Sequence, residues 1–394
     1  MPAPKTVSRS LAGILAGLCL HAAPPAQAQP PGDLAALPPD TWVKLHAPET
    51  LAWRRQRHGG AAWDSRRGLL LLFGSDTHGR SHDNALHAFD PETRRWRDLA
   101  PGAGPGTYRA DALGRAVAGP SGRPQPWAMH TFDLVEYDPR LDALWVLGRP
   151  EHNPVRKRVP GVRLHPHWLF RLAARRWEIF PNGGAPPPRL FGGMMAYDGV
   201  RDTLVAFAGR AVLELGPDRE RWRRVRPRPA QRLTLHMTAV HAPDRRAVFV
   251  FGHYKEARRD GPFRVRVYHT GPAPYAPGRW EVREPAGRCP PPWQHFPVAY
   301  DRRARRFLMV VPDRRVARTG RKGEPWYAAA RTARTYTYDP AADRCRDLGP
   351  AGLPSGTLGH MNYDMVWDDR HGVFLLVTGD WRAPPVVWAL RHAP

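Results

Sequence analysis

The chain has 394 residues, of which 42% are hydrophobic, enough to bury a large core and to exclude an intrinsically disordered polymer. Its formal net charge is +24, yet only five of the 60 basic residues are Lys. Such arginine bias, alongside 45 Pro and 36 Gly, is what a GC-rich genome gives by itself. The charge therefore attracts polyanions but assigns no specific partner. Three cysteines are too few for a disulfide-stapled scaffold.

In chain order, Lys5 and Arg9 precede the apolar run Leu11–Leu20, which is too short to span a bilayer, and Ala26-Gln27-Ala28 follows as a small-x-small cleavage site. Residues 1–29 thus read as a secretory signal peptide. A lipid anchor on Cys19 is the competing reading, and Leu18 stands where that modification wants a small residue. No later apolar run is long enough to span a membrane. Residues 30–40 read as a linker and 41–394 as a single domain, periplasmic or secreted and expected to be monomeric. Cys289 and Cys345 are the cysteines left after cleavage; whether their geometry permits a bond stays open.

An aromatic-Asp-basic turn followed by an apolar strand recurs six times, at Trp63-Asp64, Tyr137-Asp138, Tyr197-Asp198, His241 to Asp244, Tyr300-Asp301 and Trp367-Asp368. Each copy predicts a β-hairpin. A second unit, basic-Trp-x-x-apolar, follows most copies, at Arg95-Trp96, Arg176-Trp177, Arg221-Trp222 and Arg279-Trp280, and Arg344-Cys345 puts a cysteine in the Trp slot. After the sixth hairpin only Val386–Leu390 remains as a third strand, and Trp42–Leu45 supplies the fourth from the other end. The repeat predicts an all-β, six-bladed β-propeller of four-stranded antiparallel blades, the last blade closed by the N-terminal strand, a ring that leaves no exposed blade edge.

These residues resemble the kelch motif. Its aromatic pair seven residues apart survives at Phe89/Trp96, Phe170/Trp177 and Leu215/Trp222, whereas its double glycine is degraded to Gly74-Ser75, Gly148-Arg149, Gly209-Arg210, Gly252-His253 and Gly379-Asp380. The resemblance covers nearly the whole mature chain and implies a fold, not a function. The architecture is also similar to that of exported N-acetylneuraminate epimerases, which implies sugar-acid chemistry as one possibility. That likeness stops at the fold, because no catalytic residue can be matched one by one. A galactose-oxidase-type copper centre would need a Cys beside a Tyr at the channel, and Cys345 holds an outer-strand Trp slot instead.

Strand alternation places the long insertions 100–128, 149–166, 252–263 and 312–332 on one face, which makes it the expected working face. The same face receives histidines. His58, His236 and His295 stand five residues before the turn aromatic of their hairpins, and His130 and His360 stand seven before it. Equal parity predicts that all five point to one side of the inner strands; packing of kelch-type histidines at the channel mouth is the plainer alternative. His58, His130 and His360, with Asp76 or Asp380, form the candidate acid–base set. Arg149, Arg210, Arg314 and Arg382, with His253, Tyr254 and Trp381, join His236 and His295 as candidate ligand-binding residues, an arginine trap for an acidic group. A three-His metal site would require residues of separate blades to converge within ligand distance; no Cys-x-x-Cys or His-x-x-x-His motif supports one, so neither a metal nor a cofactor is expected. The expected ligand is an anionic glycan or a protein partner, with an enzyme on an anionic sugar as the alternative and nucleic acid disfavoured by export.

Overall fold

The computed structural model describes residues 33–46, 53–54, 58–75, 78, 81–150, 152–180, 190–258, 261–319, 325–355, 358, 362–379 and 384–393, with side chains 317–329 left aside. Six blades of four antiparallel strands stand in a ring, the fifth carrying in addition a short strand, Ala286–Gly287, parallel to its outer strand Arg344–Gly349. Their innermost strands are Gly60–Asp64, Val135–Asp138, Met194–Asp198, Thr238–Ala242, Val298–Asp301 and Met365–Asp368. The sixth blade is closed as expected: Val43–His46 pairs antiparallel with Val386–Leu390, Val43 opposite Ala389 and Lys44 opposite Trp388.

The repeated turn acts as the hairpin clamp. In five blades its Asp is buried and accepts two backbone N–H groups of the turn, as Asp64 Oδ1 does from Arg66 and Arg67 and Asp138 Oδ1 from Arg140 and Leu141. Four residues on, the chain enters the left-handed region: Gly68, Asp142, Asp202, Arg305 and Gly372 have φ between 49° and 72°. Blade four has no such Asp and turns instead through Pro243–Arg245 to left-handed Arg246.

The same turns tie neighbouring blades. The Arg67 guanidinium donates to both oxygens of Asp142 at 2.7 and 2.6 Å, joining blades one and two. Arg219 donates to Asp138 at 2.7 Å and to Asp202 at 2.7 Å, joining blades two and three. Tyr300 donates to Asp244 at 2.5 Å, joining blades four and five, and Trp63 Nε1 donates to Asp369 at 2.8 Å, joining blades six and one.

Burial is organised the same way. The apolar core consists of six clusters, each held between two adjacent blades; one joins Leu69, Leu71 and Phe73 of blade one to Leu144, Val146, Trp168 and Phe170 of blade two. The outer-strand tryptophans serve this packing: Trp177 lies 5.1 Å from Phe73 of the previous blade and Trp280 lies 5.5 Å from Phe207 of the previous blade. Burying such a ring is worth about 1.5–3 kcal/mol. Cys345 fills the equivalent slot and is bonded to Cys289, Cα to Cα 4.9 Å. Among the described residues no helix is long and apolar enough to cross a membrane. The signal peptide and most of the linker lie outside the described residues.

Two insertions differ from the irregular loops expected. The 312–332 segment is largely a ribbon that extends the second and third strands of blade five, Arg306–Thr319 against Pro325–Asp339, with Arg314 opposite Ala329. The 100–128 segment has a core of its own, in which Tyr108 and Trp127 stack at 4.7 Å between Ala116, Ala118 and Ala128. It is laced to the 149–166 loop by hydrogen bonds from Ala116 N–H to Leu164 and from Leu164 N–H to Gly114. Strand pairing and loop-to-loop backbone hydrogen bonds in these stretches satisfy groups that a bare loop would leave to water.

Candidate functional site

The mouth of the channel on the loop-rich face is built by a clasp between blades one and two. Thr131 and Phe132 donate their N–H groups to the His58 carbonyl at 3.0 and 2.7 Å, and Ser75 N–H donates to the Met129 carbonyl. Gly74 makes this approach possible. Its φ is +109°, and a Cβ there would stand 2.7 Å from Gly59 Cα and meet the Thr131 hydroxyl as well.

The clasp sets the His130 ring 4.1 Å from the His58 ring. The second-to-third-strand loop of blade one adds His78, whose ring centroid is 4.9 Å from that of His130, and the 149–166 loop adds His152, stacked on His78 at 4.8 Å. One ring nitrogen each of His58, His78 and His130 lie within 4.8 Å of one another. His130 is 2% exposed, His58 is half-buried and His78 is exposed. Among the described residues neither ring nitrogen of His130, nor Nδ1 of His58, has a hydrogen-bond partner.

On the far side of the mouth, His236 and His295 face each other at 5.8 Å, and the Tyr363 hydroxyl lies 3.4 Å from His236 Nδ1. Tyr254 stands 6.0 Å from His236, and His253 accepts from Glu256 N–H beside it. Between the two groups stands Phe132, left-handed at φ 51° and 1% exposed. Its ring lies 5.6 Å from His58, 5.4 Å from His130, 5.1 Å from Phe191, 5.1 Å from His236 and 6.2 Å from Tyr363, so it touches five of the six blades or their leading loops. The next residue, Asp133, accepts from Ala239 N–H of blade four at 2.7 Å. Phe132 and Asp133 together stopper the channel below the histidines. Beneath them lies a cavity of about 240 Å³ lined by the inner strands, among its residues Asp133, Glu136, Arg302 and Tyr363.

Burial governs the protonation of the mouth. It holds the His130 imidazole down at about 3, helped by the proximity of His78, His152 and His236, and it drives His58 lower still. Burial also brings His236 to about 4, and burial followed by the Arg266 charge does the same for His253. These imidazoles are neutral at physiological pH. In the cavity below, burial raises Asp133 far above the ordinary carboxylate range and pushes Glu136 up to about 7, although Glu136 accepts from Tyr137 and Tyr197 N–H.

The structure corrects one sequence expectation. His58, His236 and His295 do not sit on strands: each occupies a left-handed turn, φ 42° to 65°, immediately before its inner strand. Strand parity therefore does not orient them, and the residue of blade two at the same position is Phe132, not His130. The described candidate arginines come from different blades, Arg149 pairing by its backbone with His130, and Arg382 lies outside the described residues. Arg210 is exposed in the tight turn between Ala208 and Ala211, Arg314 lies on the blade-five ribbon, and Arg149 acts on His165. No arginine is among the charges that act on His130. Among the described residues His130 has no carboxylate partner, and the carboxylates expected beside it, Asp76 and Asp380, are not among those residues. Asp76, His360, Asp380, Trp381 and Arg382 lie outside the described residues.

His78 and His152 escaped the sequence reading. Each lies two or three residues beyond a rim position that was singled out, Asp76 and Arg149, and has no repeat equivalent. A search for His within the long loops, not only at repeat positions, would have found both.

No family model matches the chain, and no curated protein is similar to it. A structural-genomics protein of unknown function from Bacteroides thetaiotaomicron VPI-5482 is similar in structure, with 8% identity over 90% of this chain and 73% of that one, at a TM-score of 0.46.

Proposed function

We propose that this is an exported propeller, kelch-like in its repeat, that binds an anionic glycan or sugar acid at the stoppered mouth of its loop-rich face. The observation that carries the reading is the mouth itself. Six histidines, His58, His78, His130, His152, His236 and His295, are gathered there with Phe132, Phe191, Tyr254 and Tyr363, above a plug that closes the floor. Flat aromatic faces suit sugar rings, imidazole and phenol groups suit their hydroxyls, and a +24 chain draws acidic ligands toward it. The Cys289–Cys345 bond favours an oxidising compartment and so supports the export reading.

An enzyme on an anionic sugar is the second reading, favoured by the adjacent His58 and His130 rings 4.1 Å apart at the mouth, whose basicity burial depresses and a bound anion beside them would raise. The test is thermal stability against a panel of sugar acids and sulfated glycans, followed by calorimetry on any ligand that raises the melting temperature. A rise that Phe191→Ala removes supports the proposal. Stabilisation by polymers only, erased by moderate salt, would mean a generic basic surface and overturn it.

A further inference from the structure

The mouth contains a chemical feature that glycan binding does not require. His58 and His78 belong to blade one and His130 to the entry of blade two, yet one ring nitrogen of each falls within a 4.8 Å circle. On a tetrahedral ion with Zn–N bonds of 2.0–2.1 Å, three nitrogens stand about 3.4 Å apart. Closing the difference needs at most about 1.4 Å of side-chain movement, and His78 is exposed and on a loop, so it can supply it.

Two further observations bear on this cluster. Several buried imidazoles leave one nitrogen unmatched, but among the described residues only His130 has both buried and unmatched. His130 is 2% exposed and makes no hydrogen bond at either ring nitrogen within the described residues, and His58 Nδ1 is likewise unmatched. A buried imidazole without a partner costs about 1–3 kcal/mol and calls for a ligand, whether water or an ion. The clasp also pays for rigidity elsewhere: Gly74 and the Thr131–His58 hydrogen bonds fix the two buried rings at 4.1 Å before any ion arrives.

We propose that His58, His78 and His130 form a three-histidine site for a divalent transition metal, Zn²⁺ in the first instance, with a further coordination position open toward the mouth. The inference rests on the reading of the mouth as the working site and deepens it, because the open position is where an acidic or hydroxylated ligand would bind the ion. The donor set selects the metal class. Three neutral nitrogen ligands suit Zn²⁺, Cu²⁺, Ni²⁺ or Co²⁺, whereas Mg²⁺ and Ca²⁺ require oxygen donors. Three protein ligands and an open position are the arrangement of reactive zinc sites; structural ones are closed by four. His152, 5.2 Å from His130 between ring centroids, is placed to orient a ligand or to join the set.

The experiment uses the full mature chain without an affinity tag, stripped with chelator, and reads metal binding directly. Zn²⁺ is titrated by calorimetry, and Co²⁺ is added to record its visible ligand-field absorption. One equivalent should bind, with the intense bands of a tetrahedral Co²⁺ site. Losing an outer partner of a metal ligand already costs 10- to 100-fold in affinity, so His130→Ala and His78→Ala should each weaken Zn²⁺ binding at least about 100-fold. His78 is exposed, so its variant folds even where that of His130 is impaired. His269→Ala, which removes an imidazole held by Glu281 on a third strand, should bind as wild type.

Binding that is unchanged in His78→Ala and His130→Ala, or absent from the stripped wild type, overturns the proposal. If the stripped protein binds its glycan or sugar acid as tightly as the metal-loaded one, the open position is not where the ligand binds and that part of the proposal falls, while the reading of the mouth stands. If metal binds as expected and no ligand of the panel does, the metal site stands and the glycan reading falls.

Discussion

Arg219 offers the sharpest test of how the ring is held together. Its side chain is 4% exposed and spans blades two and three, donating to Asp138, whose side chain is fully buried, at 2.7 and 3.1 Å and to Asp202 at 2.7 Å. Arg219→Met keeps the aliphatic stem and removes the charge. Breaking one side of a buried pair costs about 3–5 kcal/mol. Asp138 retains N–H bonds from Arg140, Leu141 and Trp145, which places the expected loss near the lower limit, about 3 kcal/mol. With about 2.1 cal/mol/K of unfolding entropy per residue over roughly 350 residues, that loss lowers the melting temperature by about 4 °C. The comparison variant is Arg140→Ala, which also removes a contact to Asp202 but from a side chain 56% exposed, and which should cost about 0–1 kcal/mol and fade with salt. Urea denaturation of both variants, with Asp138→Asn and the Arg219→Met/Asp138→Asn double variant, gives the coupling. A coupling energy of at least about 1 kcal/mol is expected for the buried pair. Additivity within about 0.5 kcal/mol, or equal losses for Arg219→Met and Arg140→Ala, would refute burial as the reason these ties matter.

The other two predictions concern the cavity and the disulfide. Because burial raises Glu136 from 4.5 to about 7, the folded protein keeps a proton that the unfolded chain has lost between those values, so wild-type stability falls as pH rises through that window. Glu136→Gln should flatten that slope and gain on wild type from pH 4.5 to 7; parallel melting curves would refute the assignment. Reducing the Cys289–Cys345 bond, which closes a loop of 56 residues, should cost about 4 kcal/mol by the chain-entropy relation, and Cys289→Ala should match it. A denaturation midpoint indifferent to reductant would contradict this.

The fold was legible because a propeller writes its physics six times. In five of the six turns an Asp caps two N–H groups and the position four residues on takes left-handed backbone, and in most blades an outer-strand Trp fills the gap to the previous blade. Those features recur at fixed offsets, so the turns at Asp64, Asp138, Asp198, Asp301 and Asp368 and the packing of Trp177, Trp222 and Trp280 were legible in the sequence, whereas the capping of two N–H groups by each Asp was not. Even the ring closure could be read, since a blade that lacks one strand at the end of the chain had to find Val43–His46 at the beginning.

The site obeys a different logic, and only part of it was visible. His58, His130, His236 and His295 were found because they recur near each inner strand, but their grouping was inferred from strand parity, which their left-handed turns remove. Which histidines meet depends on Gly74 allowing blade two to press on blade one, and on Phe132 taking the place of a histidine and sealing the axis. His78 and His152 arrive from loops of unrelated length, where no periodicity constrains position. The sequence by itself determined the blade strands, the number of blades and their order, because those follow from local turn chemistry and alternation. The choice of neighbours at the mouth belonged to the tertiary structure, since contacts between separate blades and loops are set by close approach in space, which no spacing along the chain records.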